Sequence, residues 1–403
     1  MENYELCKSL NIMINLIKDK SKMPAFLRSG FRVLFFAAGI GSLLLMLTWL
    51  LFFTQQISVE FNTHYWHAHE MIFGYAMAVI VGFLLTATQN WTKLKTTNGY
   101  PLLFLGIAWL VARVLSVMGG DYIFYQLTAD LAFLIFSLLL ITLPIVKAKN
   151  WKNLPIIFKL LTFVIANILF YIGALGYLEN GQYLGIYIAF YTVVALILMM
   201  IRRLIPFFIE NAVSANIELK NSKFLDLSSL ILFIVFVIDT VFFETQITQI
   251  SALFLFVIHS IRMLYWYDNG IWRKPLLWGL YVAYGMINFA FLLIVIDYFI
   301  ALPQNTATHS FAIAIGLITL SMMSRVSLGH TGRNVFSPPK SLGVIFSMLV
   351  AVFIFRVIAI LFWSEYYPQF IVISQLLWIV AFGLFVLMYA KMFFQKRVDG
   401  SFG

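Results

Sequence analysis

Residues 65–86 read YWHAHEMIFGYAMAVIVGFLLT, with His67, His69 and Glu70 at the mouth of a long apolar run. About 20 consecutive apolar residues cross a ~30 Å hydrocarbon layer as a helix, and this run is long enough. Ionisable groups at the entrance to such a segment are costly to desolvate, so they need a reason to be there. They are either boundary residues in contact with water or ligands to something held inside.

The rest of the chain repeats the apolar part of this pattern. Of 403 residues, 62% are hydrophobic and 11% charged, and the mean hydropathy is +0.93. A soluble core of this length would need a far larger polar shell. The runs are continuous rather than alternating, which excludes a membrane β-barrel. The sequence therefore predicts an all-α polytopic membrane protein of about twelve spans. These fall near 31–53, 67–89, 100–118, 122–146, 155–178, 182–201, 224–243, 247–267, 275–298, 308–328, 341–363 and 369–393. No connection is long enough for a folded soluble domain. The expected organisation is a basic, amphipathic segment 1–30, one transmembrane domain 31–393 and a cytoplasmic tail 394–403. In the first segment, Leu6, Leu10, Met13, Ile14 and Ile17 share a helical face, as in an interfacial helix rather than a cleaved signal. The lone Cys7 excludes disulfides within the chain.

Lys and Arg set the orientation. With the N-terminus in the cytoplasm, the inner connections carry Lys93, Lys95, Lys147, Lys149, Arg202, Arg203, Arg273, Lys274, Arg333 and Lys340, while the outer ones carry none. This positive-inside pattern puts both termini in the cytoplasm. The net charge of +10 is then an account of topology. It gives no argument for nucleic acid, and the expected surroundings are the lipid bilayer.

On this topology His64, His67 and His69 lie at the outer end of the second span and His309 at the outer end of the tenth. His259 falls within the eighth span and His330 at the inner end of the tenth. In the second span His67, Glu70, Gly74, Ala78 and Gly82 form one stripe, polar at the top and small below. His309, Ala312 and Gly316 repeat it in the tenth. Small stripes serve close helix packing, or they leave room for a flat cofactor beneath an axial histidine. Neutral imidazole is the commonest metal ligand and an axial ligand of haem iron. His67 and His69 point roughly 200° apart on a helix, so one face presents only one of them. Arg113 and Arg356 in outer half-spans call for a carboxylate partner such as Glu70, or for snorkelling. Asp130, Asp239 and Asp297 read as helix-pairing groups before proton-path groups. At the inner side, Arg203, Arg325, His330 and Arg333 read as an anion clamp or as positive-inside loops.

These motifs carry a resemblance. WHAHEMIFGYAMAVIVGFLLTATQNWT (66–92), GFRVLFF (30–36), RRLIPFF (202–208) and SRVSLGHTGR (324–333), the last preceded by His309, resemble the NnrS family in order and spacing. The resemblance runs from about residue 26 to near the C-terminus. It implies a multi-pass protein of the bacterial inner membrane, associated with haem and copper, the response to nitric oxide and resistance to nitrosative stress. By motif match it carries over His67, His69, Glu70, Arg203, His309, Arg325, His330 and Arg333 as cofactor-binding candidates, with His67, His69 and His309 as the metal ligands. The expectation is a haem between spans two and ten, held by His309 and one of His67 and His69. Two positions depart from the pattern. Tyr171 and Tyr281 stand where His is usual, which weakens copper more than haem, because phenolate is a poor donor for an N-rich copper site. Two other readings remain open from the sequence: a secondary transporter, and an assembly or stability factor for iron proteins.

Overall fold

A computed structural model describes residues 23–213 and 218–403. The amphipathic segment and Cys7 lie outside the described residues. Among the described residues every regular element is helical. The spans are α1 Gly30–Phe53, α2 Thr63–Thr92, α3 Tyr100–Leu115, α4 Gly120–Lys147, α5 Trp151–Ala174, α6 Gly181–Val213, α7 Lys223–Phe242, α8 Ile247–Tyr265, α9 Pro275–Phe299, α10 Thr306–His330, α11 Ser341–Phe362 and α12 Ser364–Phe394. All but α3 have the length and apolarity to cross a membrane, and α3 has 16 residues. The chain is a multi-pass membrane protein.

The helix ends follow local chemistry. Asn62 starts α2 by accepting hydrogen bonds from the backbone N–H of His64 and Tyr65 at 3.0 and 3.2 Å, the usual role of an N-cap amide. Lys93 ends it in the left-handed region at φ 60°. Asp239 accepts from the backbone N–H and hydroxyl of both Thr245 and Thr248, which caps the start of α8. The helix-pairing role expected of Asp239 is met in this form. One sequence boundary is corrected: RRLIPFF (202–208) lies inside α6, which continues to Val213 with Pro206 in its interior. The helix continues about three turns past Arg202 and Arg203.

The chain groups into two compact units. Among the described residues, the first contains 23–192, 325–333 and 382–403, and the second contains 193–213, 218–324 and 334–381. In the first, helices approach at glycines, as expected where small residues let backbones meet. A Cβ on Gly82 would sit 3.0 Å from Leu34 and Phe35 of α1. A Cβ on Gly173 would meet the backbone of Gly181, so α5 and the start of α6 touch backbone to backbone.

Candidate functional site

The quoted stretch does not continue as an α-helix past His69. Residues Glu70–Ala76 form a π-helical segment, a rare geometry that is frequent at functional sites. Trp109 Nε1 donates to the carbonyl of Gly74 in this segment at 2.7 Å. Its ring packs where Gly41 has no side chain.

At the start of the π segment, polar side chains from α2, α3, α4 and α5 converge, all within the first unit. Arg113 Nε lies 2.8 Å from Glu70 Oε2, and its Nη2 lies 2.6 Å from Asp130 Oδ1. Asp130 Oδ2 accepts a hydrogen bond from the Tyr171 hydroxyl at 2.6 Å. His69 Nδ1 lies 3.0 Å from Glu70 Oε1, and its Nε2 lies 3.2 Å from Asn167 Nδ2 and 3.7 Å from Asp130 Oδ2. Gln126 Nε2 completes the shell of Glu70 at 3.4 Å. His69 and Glu70 are 1% exposed, Asp130 2% and Arg113 6%, so water does not screen these charges. The two alternatives for Arg113 are decided here: it pairs with the carboxylate of Glu70, and with that of Asp130, instead of snorkelling.

Gly74 makes the network fit. A Cβ there would lie 2.9 Å from Arg113 Cδ and 3.0 Å from its Nη1. The small stripe below Glu70 is thus filled by protein, with Arg113 at Gly74 and with Leu34 and Phe35 at Gly82. In the second unit the ring of Trp378 fills the space beside Gly316.

The hydrogen bonds also define the state of His69. An amide N–H can only donate, so Nε2 accepts from Asn167 and Nδ1 carries the hydrogen given to Glu70. The ring is held between Phe170, stacked at 4.3 Å, and Tyr171, edge-on at 5.3 Å. With His69 neutral, Glu70 and Asp130 face the single guanidinium of Arg113. Electroneutrality in a water-free interior then asks for one bound proton.

The other expected residues sit elsewhere. His67 stacks on Trp49 with ring centroids 4.6 Å apart and planes 12° apart. His309 belongs to the second unit, where its Nδ1 lies 2.8 Å from the Asn305 carbonyl and Arg356 Nη2 lies 3.4 Å from its Nε2. Arg356 is buried in a second π-helical segment, Ile354–Ala359. Arg203 is exposed on α6 in the second unit, while Arg325, His330 and Arg333 belong to the first. Tyr281 donates to the Met263 carbonyl at 2.9 Å.

These contacts bear on haem. An axial ligand must turn a nitrogen lone pair to the iron. The lone pair of His69 is taken by Asn167, so as folded His69 does not fit an axial position. Arg356 Nη2 lies 3.1 Å from Nδ1 and 3.4 Å from Nε2 of His309. Among the described residues, no three His, Cys, Asp or Glu side chains are grouped to hold a metal ion.

A family model, that of the NnrS protein, matches residues 25–397. The chain belongs to the NnrS family. No curated protein matches it. Within the family motif, WHAHEM supplies His69 and Glu70 to the buried network. The residue at the departure from the family pattern near α5, Tyr171, touches both Asp130 and His69.

Sequence reasoning missed part of this site and, in a second cluster, noted His259 but not its partners. Asn167 and Gln126 carried no signal, since single amides in apolar runs are common. In the second unit, fully buried His259 lies 2.7 Å from the Tyr284 hydroxyl. Arg262 Nη2 reaches Asp226 Oδ1, the Leu225 carbonyl and Ser229, each at 3.1 Å. A signal was available there: Arg262 follows His259 by one helical turn in an apolar span.

Proposed function

We propose that this NnrS-family protein serves the response to nitric oxide in the bacterial inner membrane. Its working centre is the buried network of His69, Glu70, Arg113, Asp130 and Tyr171. One observation carries the reading: the family motif of the second span opens into a π-helical turn whose charged residues meet those of three other helices out of reach of water. Structural packing alone does not call for two carboxylates against one guanidinium, because apolar replacements of buried ion pairs are often neutral or stabilising.

In this reading the network binds one proton and holds Arg113 and Asp130 in fixed positions. Haem and copper enter through the family association. Haem supplies redox and gas-binding chemistry where it is bound, and no step here is routed through it, because His69 as folded turns no lone pair outward. The test uses cells lacking the protein and challenged with a nitric oxide donor. Asp130→Asn keeps the size and the acceptor toward Tyr171, and it is expected to remain in the membrane yet lose protection. Full protection by Asp130→Asn would overturn the reading. The optical spectrum of the purified protein provides a separate check. A Soret band that disappears in His69→Gln would put iron on His69 and remove it from the network.

A second reading, secondary transport of a small solute, is favoured by one observation. Each unit contains a π-helical break that carries a buried charged residue, Glu70 in one and Arg356 in the other. Transporters place their sites at such interrupted helices. Solute accumulation in proteoliposomes that depends on a proton gradient would establish it, and its absence would leave the first reading.

A further inference from the structure

The π-helical turn at Glu70–Ala76 decides which histidine meets the buried network. A continuous α-helix advances about 100° per residue, so His67 would lie on the stripe of Glu70 and Gly74. A π turn takes in one residue more than the α-helical path, which rotates the residues before it by about 100°. In the structure that rotation brings His69 to Asn167 and Glu70, at 3.2 and 3.0 Å, and leaves His67 stacked on Trp49. The second span thus has two helical registers that differ by one residue. The π register is the rarer geometry, so a contact from outside the helix has to hold it.

Helix α3 supplies that contact. Trp109 is 5% exposed, and its Nε1–H donates to the Gly74 carbonyl inside the π segment at 2.7 Å. A buried indole N–H needs an acceptor, and an interrupted helical ladder opens a carbonyl to a donor from a neighbouring helix. On its other side the Trp109 ring lies against Gly41 of α1, where a Cβ would sit 2.7 Å from it. The indole is seated between Gly41 and Gly74 with its N–H directed at the turn. Arg113, one helical turn along α3, passes over Gly74 itself.

We propose that Trp109 is a positioning residue of this site. Its hydrogen bond to the Gly74 carbonyl selects the π register, and with it His69 rather than His67. In the α register His69 rotates away from Asn167, which releases its Nε2 lone pair, and His67 turns toward the face of Glu70. The inference rests on the reading of the α2–α5 network as the working centre, and its test does not use nitric oxide.

Thiol labelling reads the register. Single cysteines, His67→Cys or His69→Cys, are placed in a Cys7→Ser background, and the purified full-length protein is reacted with N-ethylmaleimide. His69 is 1% exposed, so a thiol at that position reacts only when the span leaves the π register, whereas His67 is half-buried. The net value of one hydrogen bond, about 1 kcal/mol, is about a fivefold change in an equilibrium. Trp109→Phe keeps an aromatic ring and removes the donor. It is expected to raise the labelling rate at position 69 about fivefold and to leave position 67 no faster. Gly41→Ala keeps the donor but sets a methyl group against the ring, and it is expected to raise the rate at 69 as well. Trp66→Phe removes a neighbouring indole donor, directed to Ser116 at 3.3 Å, and should leave the rate at 69 within a factor of about two. Monodisperse elution confirms the folding of each variant. An unchanged rate at 69 in Trp109→Phe or Gly41→Ala would overturn the proposal. So would an equal rise at 67 and 69, which indicates opening of the helix end, or an equal rise at 69 in Trp66→Phe. A network that gives no protection against nitric oxide leaves this labelling pattern unchanged, so the two readings fail separately.

Discussion

Replacing Arg113 by Gln tests whether the α2–α5 network is a unit. The substitution removes the cation that neutralises Glu70 at 2.8 Å and Asp130 at 2.6 Å. At an effective dielectric near 20, two unit charges 4 Å apart attract by about 4 kcal/mol. Part of that is offset because a guanidinium no longer has to be desolvated. Breaking one partner out of a buried pair costs about 3–5 kcal/mol. Because Arg113→Gln leaves the charged carboxylate of the network without its cation, a loss of about 3–5 kcal/mol is expected. The control is charge balance. Arg113→Gln combined with Asp130→Asn removes one charge of each sign, so its loss should fall short of the sum of the single losses by about 2 kcal/mol or more. Unfolding of the purified protein by dodecyl sulfate in mixed micelles, followed by circular dichroism, measures each variant. A loss of about 1 kcal/mol or less for Arg113→Gln, the value of a solvent-exposed pair, would refute the reasoning. Additivity in the double variant would refute it independently.

The same assay reads two neighbours. Tyr171→Phe removes the 2.6 Å donor to Asp130 and should cost about 1.5–3 kcal/mol, whereas Tyr171→His keeps a donor and should cost less. Gly74→Ala places a Cβ 2.9 Å from Arg113 Cδ and should cost about 1–3 kcal/mol by forcing the guanidinium aside. A silent Gly74→Ala would mean that Arg113 has room the geometry denies it. The tail supplies a pH dependence. The hydrogen bond from Arg397 holds the Asp399 carboxyl below its usual range. A carboxyl depressed in the folded state contributes above its unfolded value, about 3.9, and the contribution is lost only as pH falls through the lower folded value. Proteolysis of the tail should therefore be unchanged between pH 7 and 4, and faster across that window in Asp399→Asn.

The spans were legible because a hydrocarbon layer imposes one requirement, about 20 apolar residues, that needs no tertiary information. Boundaries failed where a helix runs on past the basic residues that close an apolar run, as α6 does beyond Arg202 and Arg203. The pairing of Arg113 with Glu70 was legible for the same reason: a buried guanidinium demands a carboxylate, and the sequence offers few. The choice between His67 and His69 was not. A 3.6-residue period puts His67 on the stripe with Glu70 and Gly74. The π-helical segment starting at Glu70 breaks that period, so His69 enters the network and His67 turns to Trp49. No composition signal announces a π turn. Tyr171 was noticed only as a departure from a family pattern. Its contact with Asp130 depends on the register of α5 against α4, which is set by side-chain packing along both helices.

The two buried clusters differ in a way that bears on which one is the working site. Arg262 in the second unit meets Asp226, but that carboxylate is 24% exposed and is shared with Arg202, which is 41% exposed. Water reaches that pair, so its surplus positive charge is screened and costs little. The Arg113 cluster has the opposite sign of imbalance and no charged member more than 6% exposed. Its charge has to be settled inside the protein, by its own groups. An arrangement of that kind is expensive to keep and gains nothing in stability over an apolar core. Its presence within the family motif is therefore better explained by what a proton and a fixed guanidinium can do at that depth than by the folding of α2 to α5.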